Sequence, residues 1–412
     1  MFQIDRWIHA PGMIRDALVA SALTLVVVGP AIDAGPTIRP DGERVPKVVR
    51  LCGSPYERGR QHGKELRQEI ARKVDLWKKD LQEQSKGDPD RLLQKFLGET
   101  NFLPAIRKWT PELLDEIRGI AAGSGQPYPT MLAYQLVDEL WVYIDKGDAQ
   151  HCSSLGVIRS GSHPAFVAQN MDLPKFLDGS QVVLHIAEDS GHPEQLVFTS
   201  AGLIAANGMN NRSIAITCNT LIQLSAAPDG LPVACVVRGV LARTSGSEVL
   251  DFVKAVKHAS GQNYIIGIGD RVYDLEASAG KVAEFRPVPD GSIVYHTNHP
   301  LANSDLKPWH QAWMQSLNPG MKSNSEVRLS ALATRLRMPA SAIGEQVIKE
   351  TLQSRDSKDH PICRTVGDSG GVFSFGATIM TLSDKPYLQV TMGPPDTNKF
   401  LRVEFSSARG NR

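Results

Sequence analysis

The 412-residue sequence lacks any imbalance of charge, with 45 Lys and Arg against 44 Asp and Glu. A net charge of +1 provides no general attraction to nucleic acid or to an anionic membrane, so any such contact would have to come from local charge. Cysteine is scarce. The five present, Cys52, Cys152, Cys218, Cys235 and Cys363, have no close spacing, which excludes a zinc-site pattern and a dense disulfide framework. Repeats and low-complexity tracts are absent. So is any apolar run of the roughly 20 residues that a membrane-spanning helix requires. What remains is the composition of a globular protein, 42% hydrophobic, long enough to bury a large core in one big domain or two to three ordinary ones.

The N-terminus has a texture of its own. Ala17 to Val28 is an apolar run preceded by Arg15 and followed by Gly29, Pro30 and small residues up to Ala34. It resembles a secretory signal, so residues 1–34 are expected to be a cleaved signal or a retained N-terminal anchor of an exported protein, periplasmic or extracellular. In an exported protein an odd cysteine count leaves one thiol unpaired, and catalysis is one reason to keep it.

From residue 35 to residue 151 the pattern is mainly helical. Ser54-Pro55 with Glu57 reads as a capping box opening a charged helix through about Ser85, and Gly59 and Gly63 inside it read as a close helix crossing. Further helices are expected over Pro89–Leu97, Thr110–Ala122 with Thr110 as cap, and Pro129–Ile144. At Cys152 the texture changes to short alternating strands, the sharpest boundary in the chain. Strands are expected from Ser153 to Asn219, two helices between Val236 and Ala259, more strands from Tyr264 to Thr297, two helices between Glu326 and Gln353, and strands to Phe405. Strands interleaved with helical layers suit two antiparallel sheets between helices, with a doubly wound parallel sheet as the alternative.

Cys152 opens a strand, and Asn170 and Asp172 close the next, where a hairpin would return them to it. Around them runs an ordered series of blocks: the segment Gly53 to Gly63, Cys152-Ser153-Ser154, Gln169-Asn170-Met171-Asp172, Gly208-Met209-Asn210, Cys218-Asn219-Thr220-Leu221, His296-Thr297-Asn298-His299 and Ile362-Cys363-Arg364. In these blocks the sequence resembles the acyl-coenzyme A:6-aminopenicillanic acid acyltransferase family, a branch of the N-terminal nucleophile hydrolases. The resemblance implies an α+β protein of four αββα layers preceded by a helical pro-segment. It further implies a precursor that cuts its own His151-Cys152 bond to leave an α chain, ending at residue 151, and a catalytic β chain over residues 152–412.

Under the same resemblance Cys152 is the nucleophile and its freed α-amine the base, since such an amine titrates near 8. Asp172 orients that amine, Asn298 donates to the oxyanion, and Asn219 and Asn170 stand toward the substrate. Phe375 occupies a position where the penicillin acyltransferase carries an arginine, which Arg364 could replace, and His151 stands where glycine is usual. The expected substrate is a small acyl amide or peptide-like molecule, hydrolysed or used for acyl transfer without cofactor, nucleic acid or membrane beyond an N-terminal anchor. Three other readings stay open: a binding protein that keeps the fold without catalysis, a serine peptidase using Ser369 in Gly367-Asp368-Ser369-Gly370-Gly371, and a metal held by His296 and His299.

Overall fold

In the computed structural model the described residues are 37–38, 44–144, 152–189, 191–310, 323–368 and 371–406. The apolar run Ala17–Val28, His151 and Ser369 lie outside them.

The segment ahead of Cys152 contributes three short strands, β1 (Thr37–Ile38), β2 (Arg44–Val45) and β3 (Lys47–Leu51), and seven helices. The helices are α1 (Pro55–Glu65), α2 (Arg67–Ser85), α3 (Pro89–Glu99), α4 (Leu103–Trp109), α5 (Glu112–Ser124), α6 (Tyr128–Tyr134) and α7 (Val137–Tyr143). The expected capping box starts α1: the Ser54 N–H donates to Glu57 Oε2 at 2.8 Å, and the Glu57 N–H to Ser54 Oγ at 3.4 Å. Three expectations are corrected. The single helix through Ser85 is two, with Leu66 between them in a non-helical conformation; the 129–144 helix likewise divides at residues 135–136. Thr110 caps nothing with its side chain, because α5 begins beyond Pro111.

Helices α1 and α5 approach so closely that only hydrogen fits at four positions. A Cβ on Gly59 would lie 1.9 Å from the Glu116 carbonyl oxygen, and one on Gly119 would lie 2.2 Å from that of Tyr56. Gly63 and Gly123 repeat the arrangement one turn later. Beside this crossing a buried Arg238 binds Glu116 through two bonds of 2.6 and 3.0 Å.

From Cys152 onward come β4 (Ser153–Val157), β5 (Ala165–Pro174), β6 (Gln181–Ile186), β7 (Gln195–Ser200), β8 (Asn207–Asn210) and β9 (Ile214–Thr220). After α8 (Val233–Leu241) and α9 (Gly246–Ala255) follow β10 (Gln262–Ile268), β11 (Arg271–Ala277), β12 (Val282–Glu284) and β13 (Ile293–His296). Then α10 (Asn324–Arg335) and α11 (Glu345–Leu352) precede β14 (Val372–Leu382), β15 (Tyr387–Val390) and β16 (Leu401–Glu404). One sheet has eight strands in the order β12-β11-β10-β9-β8-β7-β6-β3, and the other six in the order β13-β4-β5-β14-β15-β16. Every pairing is antiparallel except β3 with β6, so the doubly wound alternative is excluded.

The strand period of two decides the layering. On β5, Ala165, Val167 and Met171 enter the main core, which also holds Tyr264 and Ile266 of β10, while Phe166 and Ala168 face a second core with Leu332, Ile348 and Leu352. The sheets therefore pack face to face, with α8 on the outer side of one and α10 and α11 on the outer side of the other. This is the αββα order expected from the sequence.

Two measurements check this account. Gly59→Ala should gain about 1 kcal/mol from helix propensity alone, but the contact with Glu116 reverses the sign, and denaturant unfolding should show a net loss of about 1–3 kcal/mol. His62, fully buried on α1, accepts the Gly202 N–H at Nε2 (3.0 Å), and burial holds its imidazole down to about 4. Because the unfolded ring takes up its proton first, the stability contributed by His62 is complete above pH 6.5 and declines as the pH falls from 6.5 to 4. His62→Gln should flatten that slope in urea titrations, by on the order of 3 kcal/mol across the window.

Candidate active site

The β4–β5 register pairs Ser153 with Asn170, so the hairpin brings the end of β5 back beside Cys152 as its sequence implied. The Cys152 Sγ lies 3.8 Å from Met171 Sδ and 3.7 Å from the Asp172 carbonyl oxygen, with the residue only 3% exposed. Burial first, and Asp172 second, push the thiol up to about 12. Cys152 forms one wall of a cavity that is partly open to solvent. Val137 and Trp141 of α7, Leu203, and Val233 and Val237 of α8 supply much of the remainder, so the cavity joins the segment before Cys152 to the segment after it.

A residue that the sequence reading missed organises the site. Arg328, fully buried on α10, donates from Nη1 to the Cys152 carbonyl oxygen at 2.5 Å and to Ser153 Oγ at 2.9 Å, and from Nη2 to Asn298 Oδ1 at 3.0 Å. Its Nε donates to Asn324 Oδ1 at 2.8 Å, one turn earlier on the helix. Guanidinium has donors only, so the oxygen of the Asn298 amide must face it. The Asn298 Nδ2 consequently points the other way, donating one hydrogen to the Thr220 carbonyl at 3.1 Å and keeping the second. The turn carrying Asn298 is fixed from two sides. Its N–H donates to Ser325 Oγ at 2.7 Å, and Glu276 receives the backbone N–H groups of Leu301, Ala302 and Asn303.

Asp172 is buried on β5, accepting the Ser374 hydroxyl at Oδ1 (2.7 Å) while its Oδ2 receives no hydrogen bond. Arg364 Nε stands 3.8 Å from that free oxygen. Burial pushes the Asp172 carboxyl up to about 7, opposed by Ser374 and the two arginines. Two further acids were also missed, both on α7. Glu139 Oε1 accepts the Val233 N–H and the Ser260 hydroxyl, each at 2.9 Å, tying α7 to the start of α8. Asp138 lines the cavity and accepts the Thr220 hydroxyl at 3.2 Å; burial pushes its carboxyl up to about 6.

The structure brings Cys152, Asp172 and Asn298 together around Arg328, but the four expected substrate contacts do not line the cavity. Asn219 is held between the sheets, accepting from Ser154 Oγ and Gln169 Nε2 and donating to Asn263 Oδ1. Asn170 points to the opposite face of its strand and donates to the carbonyls of Leu352 and Ile362. Phe375 packs its ring 5.4 Å from that of Phe198 in the core, and Arg364 is buried against Asp172. Their polar or aromatic character serves packing and hydrogen bonding here, which a linear motif does not distinguish from ligand contact. His296 donates to Glu276 and the Thr297 carbonyl, while His299 meets Ser325 Oγ at 2.7 Å. Among the described residues no group of three or more His, Cys, Asp or Glu is placed to hold a metal ion.

Comparison with known proteins matches residues 159–383 to the family described as acyl-coenzyme A:6-aminopenicillanic acid acyl-transferase. That span begins beyond Cys152 and contains Asp172, Asn298 and Arg328. The chain is 28% identical over 280 residues to the acyl-coenzyme A:6-aminopenicillanic-acid-acyltransferase 40 kDa form of Emericella nidulans, covering 66% of this chain and 72% of that protein. Among solved structures it is similar to an N-acylethanolamine-hydrolyzing acid amidase ortholog from Caenorhabditis elegans, with 14% identity, a TM-score of 0.38, and 56% of this chain and 92% of that one covered. A mutant conjugated bile acid hydrolase from Clostridium perfringens gives 13% identity, a TM-score of 0.37, and coverage of 63% and 100%.

Arg328→Lys tests whether a fork rather than a charge is required at the centre of the site. A lysine cannot span the Cys152 carbonyl and Asn298 Oδ1 together, so denaturant unfolding should show a loss of about 1–3 kcal/mol from the acceptor left unpaired.

Proposed function

The chain belongs to the acyl-coenzyme A:6-aminopenicillanic acid acyl-transferase family, and from that premise we propose that it is a cysteine-dependent amidohydrolase or acyltransferase that matures by cutting its own His151-Cys152 bond. The observation carrying this reading is the single guanidinium of Arg328, which grips both the Cys152 carbonyl and the Asn298 amide oxygen and so sets nucleophile and oxyanion donor in one rigid unit.

Maturation begins with the Cys152 sulfur attacking the carbonyl of residue 151. The peptide nitrogen takes the thiol proton and leaves as the α-amine of Cys152 when the thioester forms, and water then hydrolyses the thioester, leaving a carboxylate on residue 151 and freeing the thiol. A thiol held up to about 12 is a poor nucleophile until a base takes its proton. The new amine supplies that base, and as an ammonium it finds an unused acceptor in Asp172 Oδ2. In turnover the thiolate attacks the acyl carbonyl, and the free Nδ2 hydrogen of Asn298 receives the negative charge that develops on oxygen. Proton return from the ammonium releases the amine product, and water or an acceptor amine resolves the acyl-enzyme. The substrate is a small acyl amide or peptide-like molecule, with hydrolysis favoured because water needs no dedicated site. The apolar run Ala17–Val28 supports export of the precursor.

Denaturing electrophoresis with N-terminal sequencing tests maturation. The wild type should give two fragments, one starting Cys152-Ser153-Ser154, and Cys152→Ala a single uncut chain without amidase activity. A wild-type chain that stays whole and inactive toward amides and thioesters would favour the binding-protein reading, and loss of activity in Ser369→Ala but not in Cys152→Ala would favour the serine peptidase. Asn298→Ala should lower kcat on a chromogenic amide by roughly 10²- to 10³-fold, the usual effect of removing one oxyanion donor.

A further inference from the structure

The cavity beside Cys152 is apolar over most of its surface, yet it contains one carboxylate that does no structural work comparable to its neighbour's. Glu139 joins two helices through its Oε1. Asp138, the residue before it, accepts one hydrogen bond, from the Thr220 hydroxyl, and among the described residues it has no ion pair and no donor to its second oxygen. A carboxylate facing apolar walls is costly unless a cation or a strong donor meets it. The aliphatic walls on either side, Val137, Val233 and Val237, carry no such donor.

We infer that Asp138 is the specificity-determining residue of this cavity, and that the substrate arm entering it is an apolar chain bearing a cationic amine. This rests on the assignment of Cys152 as nucleophile. The ammonium would meet Asp138 while the methylenes pack against the aliphatic walls, and the susceptible carbonyl would lie at Cys152 on the same cavity. An arm ending in carboxylate would be repelled, and one ending in methyl would leave Asp138 without a partner.

Thiol labelling tests the inference without needing turnover. Three chloroacetamides with matched alkyl arms ending in ammonium, methyl or carboxylate are reacted with the purified protein. Labelling at Cys152 is measured by peptide mass spectrometry against Cys52, an exposed thiol outside the cavity that serves as the internal reference. The ammonium arm should label Cys152 at least ~10-fold faster than the methyl arm, the scale of one charge-assisted contact, with the carboxylate arm slowest. Asp138→Asn, which keeps an acceptor for Thr220, should abolish the ammonium preference, and Asp138→Glu should restore it. If the methyl arm labels fastest in the wild type, or Asp138→Asn retains the ammonium preference, the specificity assignment is wrong while the nucleophile stands. If Cys52 labels and Cys152 reacts with none of the three, both assignments fall.

Discussion

The guanidinium of Arg328 is the contact on which the geometry of the site depends. Buried on α10, it reaches the opening of β4 and the turn after β13, two stretches separated by most of the β region. Each end alone would be loosely specified. A strand's first carbonyl lacks a ladder partner, and an asparagine amide can be turned either way. A planar set of donors removes both freedoms at once, because it donates on every side and must be met by acceptor oxygens. The rest of the neighbourhood then fits round it: Asn324 steadies the guanidinium from within its own helix, and Glu276 gathers three backbone N–H groups to shape the turn beyond Asn298.

A second constraint lies between the sheets, where polar side chains occupy positions that hydrophobic residues would ordinarily fill. Ser154, Gln169, Asn207, Asn219, Asn263 and Asp274 form a chain of hydrogen bonds that runs from one sheet into the other. A sandwich core made only of aliphatic groups tolerates sliding of one layer over the other. Directional bonds do not, because a slip by one residue would reverse every side chain and leave these groups buried without partners. The same network keeps β4 and β9, and with them Cys152 and Thr220, facing each other across the cavity.

Much of this was legible in the sequence where the information is local. The Ser54–Glu57 capping box, the switch from helical to alternating pattern at Cys152, and the return of Asp172 beside that cysteine all follow from short-range periodicity and turn chemistry. Asn298 was reached through family resemblance, and its position beside Arg328 is a fact of tertiary structure. Arg328 itself was not legible: it lies 176 residues from Cys152, on a helix whose pattern is that of any amphipathic surface helix, and nothing in its neighbours marks it as buried. Asn219, Asn170 and Phe375 illustrate the converse error. Each is engaged with a neighbouring strand or the core, and a linear pattern does not say whether a side chain faces a cavity or a neighbouring strand. Helix breaks at Leu66 and at residues 135–136 were missed because tertiary contacts, here with the turn near Gly202, override continuous helical propensity.

Strand β3 is the one parallel member of its sheet, laid along the edge of β6 by the segment that precedes Cys152. Together with the glycine crossing of α1 and α5 and the Arg238–Glu116 pair, it interleaves that segment with the rest of the molecule in a single core. A break ahead of Cys152 would leave this core intact and yet alter the way back to it. What was assembled as one polymer, with its parts at high effective concentration, would after dissociation have to reassemble as two, in a reaction of second order. The mature protein would then hold its shape by the slowness of its separation, and its history, rather than its sequence alone, would determine whether it could be formed again.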